Sequence, residues 1–426
     1  MSAKPKLGAR YWRIWWAASV STLGDGVRLV ALPLLATTLT RDPVLVALVT
    51  LAQGLPWLLF ALVSGALVDR LDRRRVMWSV DLVRAAIAVT LAITAALGVV
   101  TIWLLCLLAF LLGTAQTLFD NAAQAIMPMV VGRDRLEQAN SKLFGAQVVT
   151  EEFVGPPLGA LLFAAAVAAP FVLDASSFLI AALLVFTMPG SFRAAPVGDA
   201  PRTRLRHEIA EGLRWLWHHR LLRTLALMLS VWMLVETATG SIFVLFALET
   251  VHVSKTGYGL LFSAGALGSA VGSAFAPRIA ARFGDAPSML AGVVVNALGL
   301  IIVAAFPQAV VVGVMGAVGG AAALVWNVIT VSLRQTLIPD HLLGRVNSVY
   351  RFLGWGSMPI GAALGGVIAG VAGLRAPFFM AGGILLLLAL AGSRVVNPAT
   401  VARARADAAA ERGGQEPAGE AAATIR

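Results

Sequence analysis

Charged residues are scarce in this chain. Only 13% of its 426 residues are Asp, Glu, Lys or Arg, while 59% are hydrophobic. A soluble protein is nearer a quarter charged and half apolar. This much apolar surface cannot be hidden in an aqueous core, and the chain reads as a polytopic membrane protein. Cysteine is almost missing too: Cys106 stands alone inside an apolar run, which excludes an intrachain disulfide. The five histidines, His207, His218, His219, His252 and His341, fall in loops or at interfaces and make no metal set. There is no Gly-x-x-x-x-Gly-Lys-Ser/Thr loop, so direct ATP drive is not expected. Nothing points to an enzyme or to a bound cofactor.

What is present is a series of long apolar runs. A spanning helix needs roughly 20 apolar residues at about 1.5 Å each. That rule places spans near 12–39, 44–68, 76–99, 101–128, 140–167 and 168–189, then 221–249, 257–281, 287–306, 309–337, 344–371 and 374–397. The N-terminus is basic, but its first apolar segment outruns a signal peptide and has no Ala-x-Ala site, so it reads as a retained span. The tail from Pro398, rich in Ala, Arg, Glu and Gly, is expected to be disordered.

The basic residues sort by side. Lys4, Lys6, Arg10, Arg13, Arg70, Arg73, Arg74, Arg75, Arg133, Arg135 and Lys142 fall on the side of the N-terminus. So do Arg278, Arg282, Arg334, Arg345, Arg351, the tail and a 190–223 segment with seven arginines. The other side has only Arg41, Lys255 and Arg375. The positive-inside rule then puts both termini in the cytoplasm and requires an even number of spans, which twelve satisfies. The net charge of +11 is topology, and nucleic acid is not an expected partner.

Residues 190–220 read as a cytoplasmic linker. Within it Leu205, Ile209, Leu213 and Leu216 recur at helical spacing, and Trp215 and Trp217 suit a headgroup zone, the pattern of an interfacial amphipathic helix. The flanking parts, 11–189 and 221–397, echo each other. Asn140-Ser141 followed by Pro157-Leu158-Gly159-Ala160 returns as Asn347-Ser348 followed by Pro359-Ile360-Gly361-Ala362. Two similar six-span halves are the signature of a rocking transporter with a central site.

Between the second and third spans lie Gly65, Asp69, Arg70, Asp72, Arg73, Arg74 and Arg75. Gly65-x-x-x-Asp69-Arg70-x-x-Arg73-Arg74 resembles the loop signature of the major facilitator superfamily, and the resemblance covers residues 10–397. That family usually carries glycine where this chain has Asp72, which Asp's tolerance of left-handed backbone would accommodate. With Leu23-Gly24-Asp25 and Asn140-Ser141, the chain looks most like the bacterial multidrug, macrolide and siderophore exporters.

The resemblance implies an all-α fold of twelve spans in two pseudo-symmetric bundles, working as a monomer in the bacterial cytoplasmic membrane. It implies a proton-coupled exporter of drug-like or siderophore-like small molecules, working by alternating access. A lysophospholipid or metabolite carrier of the same fold and a non-transporting membrane sensor remain alternatives. Asp69 would latch one state of the cycle, with Gly65, Arg70, Arg73 and Arg74 forming the loop. The echo of that loop at 277–284 has Ala281 in place of the acid.

Charge inside a span costs on the order of 3 kcal/mol, so each such residue is a functional candidate. Asp25, Glu151, Glu152 and Glu236 lie near mid-span, and Asp174 nearer the outside. Asp25 and Arg28 share a helix face: they form either a local pair that eases insertion or a pair responsive to proton or substrate. Asp81 and Arg84 have the same spacing close to the cytoplasmic end, where bracing of the Asp69 loop is the expected role. Glu151 and Glu152 point about 100° apart, so one can face a cavity and exchange a proton while the other packs. Gly155-Pro156-Pro157-x-Gly159 resembles the antiporter motif of the family's fifth helix; Pro and Gly also kink and pack helices without any such role. Glu236, with Thr237 and Thr239, is the second-half candidate for cation recognition or coupling. Proton-coupled family members often carry an arginine in the fourth helix, and residues 101–128 have none, which leaves either other groups such as Arg84 or Arg28 to serve or a coupling that is not to protons.

Overall fold

The computed structural model describes residues 7–68, 70–132, 135–190, 192–193 and 205–413. Asp69 lies outside them. The described residues form helices and connections only, and twelve crossings are long and apolar enough to span a membrane. The first four are α1 (Ala9–Leu39), α2 (Pro43–Val68), α3 (Arg73–Ala96) and α4 (Ile102–Val131). The fifth is α5 (Leu136–Gln147), a π-helical segment (Val148–Val154) and α6 (Gly155–Ala165), and the sixth is α7 (Ala169–Phe186). After the linker helix α8 (Leu205–His218) come α9 (Arg220–Leu245) with a π-helical end (Phe246–Thr250), α10 (Lys255–Phe283), α11 (Asp285–Ala305) and α12 (Ala309–Leu337). The eleventh crossing is α13 (Asp340–Gly356) plus α14 (Met358–Ala372), and the twelfth is α15 (Ala376–Ser393).

The halves repeat one packing scheme. α1 lies on α6 and α7, α2 on α4 and α3 on α7; in the second half α9 lies on α14, α10 on α12 and α11 on α15. The proline-glycine elements of the fifth and eleventh crossings make equivalent contacts. A Cβ at Gly155 or Gly159 would collide with the α1 backbone at Gly26 and Val27, and one at Gly361 or Gly365 with the α9 backbone at Leu234 and Ala238. Small residues therefore let backbones touch where lipid supplies no hydrophobic driving force. Each half also ties its first and fifth crossings by a tyrosine: Tyr11 Oη donates to Ala139 O (2.9 Å) and Tyr350 Oη to Leu222 O (2.5 Å).

Across the halves α2 packs on α14 and α6 on α10. On the side away from the termini one apolar core is shared: Val30, Leu34, Leu105 and Phe163 pack with Val244, Leu245 and Tyr258. On the termini side the cores are separate, one around Tyr11, Met77 and Phe119, the other around Leu225, Leu333 and Tyr350. Bridges cross there as well: Arg351 donates to Gln124 Oε1 (3.0 Å), and Trp355 meets Trp57 edge-on at 4.5 Å. The two halves are thus sealed on the far side and parted on the termini side.

Two expectations change. The tail is not disordered throughout: Pro398–Gly413 form α16. Alanine-rich sequence favours helix, Val401 is buried in the second-half core, and Arg405 pairs with Asp285 at 2.6 Å. The linker helix is held by a specific contact as well as by amphipathicity. Leu216 is buried, and Arg345 of α13 donates to Glu211 at 2.5 Å.

Candidate functional site

The centre of the first half is a buried ion cluster. Arg84 is fully buried, and its Nη2 donates to Asp25 Oδ1 (2.7 Å) and Gln116 Oε1 (2.5 Å). Its Nη1 donates to Asp81 Oδ1 (3.2 Å), and its guanidinium lies 3.9 Å over the Phe178 ring. Arg28 bonds Asp25 from one turn away, and its Nε lies 3.1 Å from Asp174 Oδ2. Asp174 can come this close because α1 carries Gly24 there; a Cβ would meet Ser177 Oγ and Asp174 Oδ1. Two guanidiniums therefore face three carboxylates, Asp25, Asp81 and Asp174. Carboxylates thus outnumber guanidiniums in a place where charge is costly.

This arrangement revises the placement of two residues. Asp81 and Arg84 meet Asp25 of α1, and the Asp69 they were expected to brace lies outside the described residues. Depth along one helix does not reveal which neighbour a long side chain meets. Asp174, expected nearer the outside, is fully buried against Arg28. Sequence reasoning also missed Gln116. Its amide accepts from Arg84 and donates to Asp120 Oδ1 at 2.9 Å, so an uncharged residue of α4 extends the cluster by one carboxylate. The missing arginine of the fourth crossing has a physical counterpart here, since Arg84 reaches α4 from α3.

The fifth crossing carries Glu151 and Glu152 on its π-helical segment. Proline explains that geometry. Pro156 and Pro157 have no N–H, so two carbonyls one turn back lose their helical donors. The ladder shifts, and the Gly155 N–H bonds Thr150 O, five residues back. Ser263 Oγ of α10 donates to Phe153 O (3.0 Å), the carbonyl that Pro157 cannot serve. A π-bulge turns successive side chains onto new faces. Here the Glu151 backbone lies against Gly26 of α1, next to Asp25, while Glu152 lines a cavity. Of the motif, Gly155 and Gly159 sit against α1 at Gly26 and Val27, and Pro156 O faces Gly259 of α10.

The cavity, about 480 Å³, is built mainly by the second half. Glu236 opens into it beside Trp232 and Phe243 of α9, with Phe262 of α10, Asn296 of α11 and Phe378 of α15. Trp232 packs on Trp326 at 5.6 Å, and Phe243 meets Phe262 at 5.8 Å. Leu29 and Glu152 close the wall from the first half.

The loop between α2 and α3 is organised by a residue the sequence reading treated as a substitute for glycine. Asp72 has φ −72°, not left-handed, and acts as the N-cap of α3. Its Oδ1 accepts from the Arg75 N–H and its Oδ2 from the Phe192 N–H, each at 3.2 Å. Capping the exposed amides of a helix start is the reason for an acid at this place. Arg74 donates to Phe186 O and Gly190 O, both at 2.9 Å, at the carbonyl end of α7. Arg73 lies against Met129 Sδ at 3.3 Å, Arg70 is exposed, and a Cβ at Gly65 would meet nothing within 4 Å.

A two-bundle membrane fold with a buried ion cluster beside a small-molecule-sized cavity defines a polytopic transporter. Residues 5–417 match the family described as transmembrane secretion effector, and the chain belongs to that family of the major facilitator superfamily. It is 29% identical over 390 residues to the multidrug efflux pump Tap of Mycolicibacterium fortuitum, covering 88% of this chain and 93% of that protein. It is 24% identical over 396 residues to macrolide efflux protein A of Streptococcus pyogenes, covering 89% and 94%. In fold it matches an inward-facing bacterial homologue of the iron transporter ferroportin, with TM-score 0.71, 15% identity, and 91% and 100% coverage.

Proposed function

We propose that this transporter is a proton-coupled exporter of drug-like organic compounds, working by alternating access in the bacterial cytoplasmic membrane. The observation that carries the reading is the excess of carboxylates over guanidiniums in the buried cluster: a proton taken up by Asp25, Asp81, Asp174 or Asp120 would lower its net negative charge. Such a change weakens the ion contacts that hold α1, α3 and α7 together. Export rather than uptake is supported by the two efflux-pump relatives, similar over most of their length. The positive-inside bias supports cytoplasmic termini, so the parted side would face the cytoplasm.

The moving units would be residues 11–189 and 221–397, hinged through the 190–220 linker. Glu151 and the Gly155–Gly159 element would carry the charge state of the cluster to the cavity, because they touch α1 at Gly26 and Val27. The loop of Arg70, Arg73 and Arg74 would latch the termini side in the opposite state.

Cells expressing the protein and loaded with ethidium or a macrolide test this reading. Wild-type efflux should stop on adding a protonophore. Asp25→Asn and Glu151→Gln should each slow initial efflux at least tenfold at unchanged expression. Efflux that persists with the protonophore, or in both variants, would overturn proton coupling through this cluster.

A further inference from the structure

The linker helix α8 has two faces in different surroundings. One is settled on the second half: Leu216 is buried, Trp215 packs against the same core, and a Cβ at Gly212 would touch the Arg345 backbone of α13. The opposite face stands open. Ala210, Leu213, Arg214, Trp217 and His218 border a shallow hollow there, with Leu213 41% and Trp217 50% exposed. A leucine and a tryptophan one turn apart on an open helix face are costly in water and call for a cover.

Two further observations say what covers it. The first is charge. Arg214 and Arg220 are exposed and Arg223 is partly buried, and among the described residues no carboxylate pairs with any of the three. Glu211 is engaged on the inner face, where it accepts from Arg345. The second is position. A single residue, His219, separates the end of α8 from the start of α9, and Arg223 Nη1 donates to Trp217 O at 2.9 Å. The tenth-residue scale of the bilayer interface is thus reached at once: α9 enters the membrane from Arg220 onward, and the bond holds Trp217 at headgroup level. Tryptophan beside arginine suits a layer of anionic headgroups, with the ring at the glycerol level and the guanidiniums on phosphate.

We propose that the outer face of α8 docks on anionic phospholipid of the leaflet on the termini side. Leu213 and Trp217 enter the interfacial layer, and Arg214, Arg220 and Arg223 meet the lipid phosphates. Because α8 is fixed to α13, the lipid pins the termini end of the second half to the membrane plane. The proposal rests on the membrane-spanning fold and is independent of what the protein exports.

The test uses the purified full-length protein in nanodiscs, one protein per disc. Ala210→Cys in a Cys106→Ser background carries a nitrobenzoxadiazole fluorophore. The discs are phosphatidylcholine with an equal mole fraction of either phosphatidylglycerol or phosphatidylcholine bearing a nitroxide high on the acyl chain. Both nitroxide lipids should quench the fluorophore, the phosphatidylglycerol about threefold more strongly. Arg214→Gln, Arg220→Gln and Arg223→Gln combined should bring the two lipids to about equal quenching, and about 0.5 M salt should do the same with the arginines in place. Trp217→Ser should weaken quenching by both lipids about twofold and keep the preference. Arg214→Gln alone, at an exposed position, replaces the triple variant should that one not fold, and should about halve the preference.

A fluorophore that neither lipid quenches overturns the proposal, and is the result expected if a second copy or another protein covered this face. Equal quenching by the two lipids with the arginines in place also overturns it, as does a preference that survives their removal.

Discussion

Arg84 is the side chain on which most of the first half converges, since it touches groups from α1, α3, α4 and α7 at zero exposure. Removing one partner of a buried ion pair leaves uncompensated charge and costs about 3–5 kcal/mol. Arg84→Leu should therefore lower the unfolding midpoint of the detergent-solubilised protein sharply. Arg84→Leu combined with Asp81→Asn should recover part of that loss. Equal midpoints for wild type and Arg84→Leu in a thermal melt would contradict the cluster. The pairing of Asp25 with Arg28 is legible in their three-residue spacing. The roles of Arg84 and Gln116 are not, for different reasons. Arg84 meets residues 59 and 32 positions away, and Gln116 bears no charge to mark it as costly in a membrane.

At the scale of elements, the fifth crossing shows how two prolines place two carboxylates. Pro157→Ala would supply an N–H for the Phe153 carbonyl, removing the vacancy that Ser263 fills and relaxing the π segment toward α-helix. The expected result is efflux reduced several-fold at normal expression, with little change from Ser263→Ala alone. An unaffected rate in Pro157→Ala would show that the π geometry is incidental. The glycines and prolines here were readable as a kink, but the side that each glutamate faces depends on the extra residue in the turn.

The helix α16 is a second case at this scale. Burying a valine contributes about 1.5 kcal/mol or more, so deletion from Pro398 onward should lower the unfolding midpoint by a few degrees while ligand binding persists. Composition alone suggested disorder, because the apolar partner of Val401 lies in other helices.

For the whole molecule, closure of the far side is the feature to probe. Arg41 and Glu249 meet across the halves there at 3.0 Å, both partly exposed. An exposed pair of this kind contributes little stability, yet it marks two positions that must separate for that side to open. Arg41→Cys with Glu249→Cys, in a Cys106→Ser background, should lose efflux on treatment with a bis-methanethiosulfonate cross-linker that spans the two side chains and regain it with reductant. Transport that continues in the cross-linked form would exclude opening between these points.

The sequence by itself determined the number of crossings, the division into two similar halves, the sidedness of basic residues and the family. These follow from one-dimensional quantities: the bilayer sets the length of each apolar run, and insertion sorts basic loops by side. It also marked most of the residues that matter, because charge in a span is rare enough to notice. Only the tertiary structure decided which of them meet. It gathered Asp25, Arg28, Asp81, Arg84 and Asp174 from three helices into one cluster. It also set Glu152 and Glu236, from the two halves, in the wall of one cavity. The physical reason is that helix neighbours are chosen by close contacts at Gly24, Gly26 and Gly159, and such contacts link residues far apart in the chain.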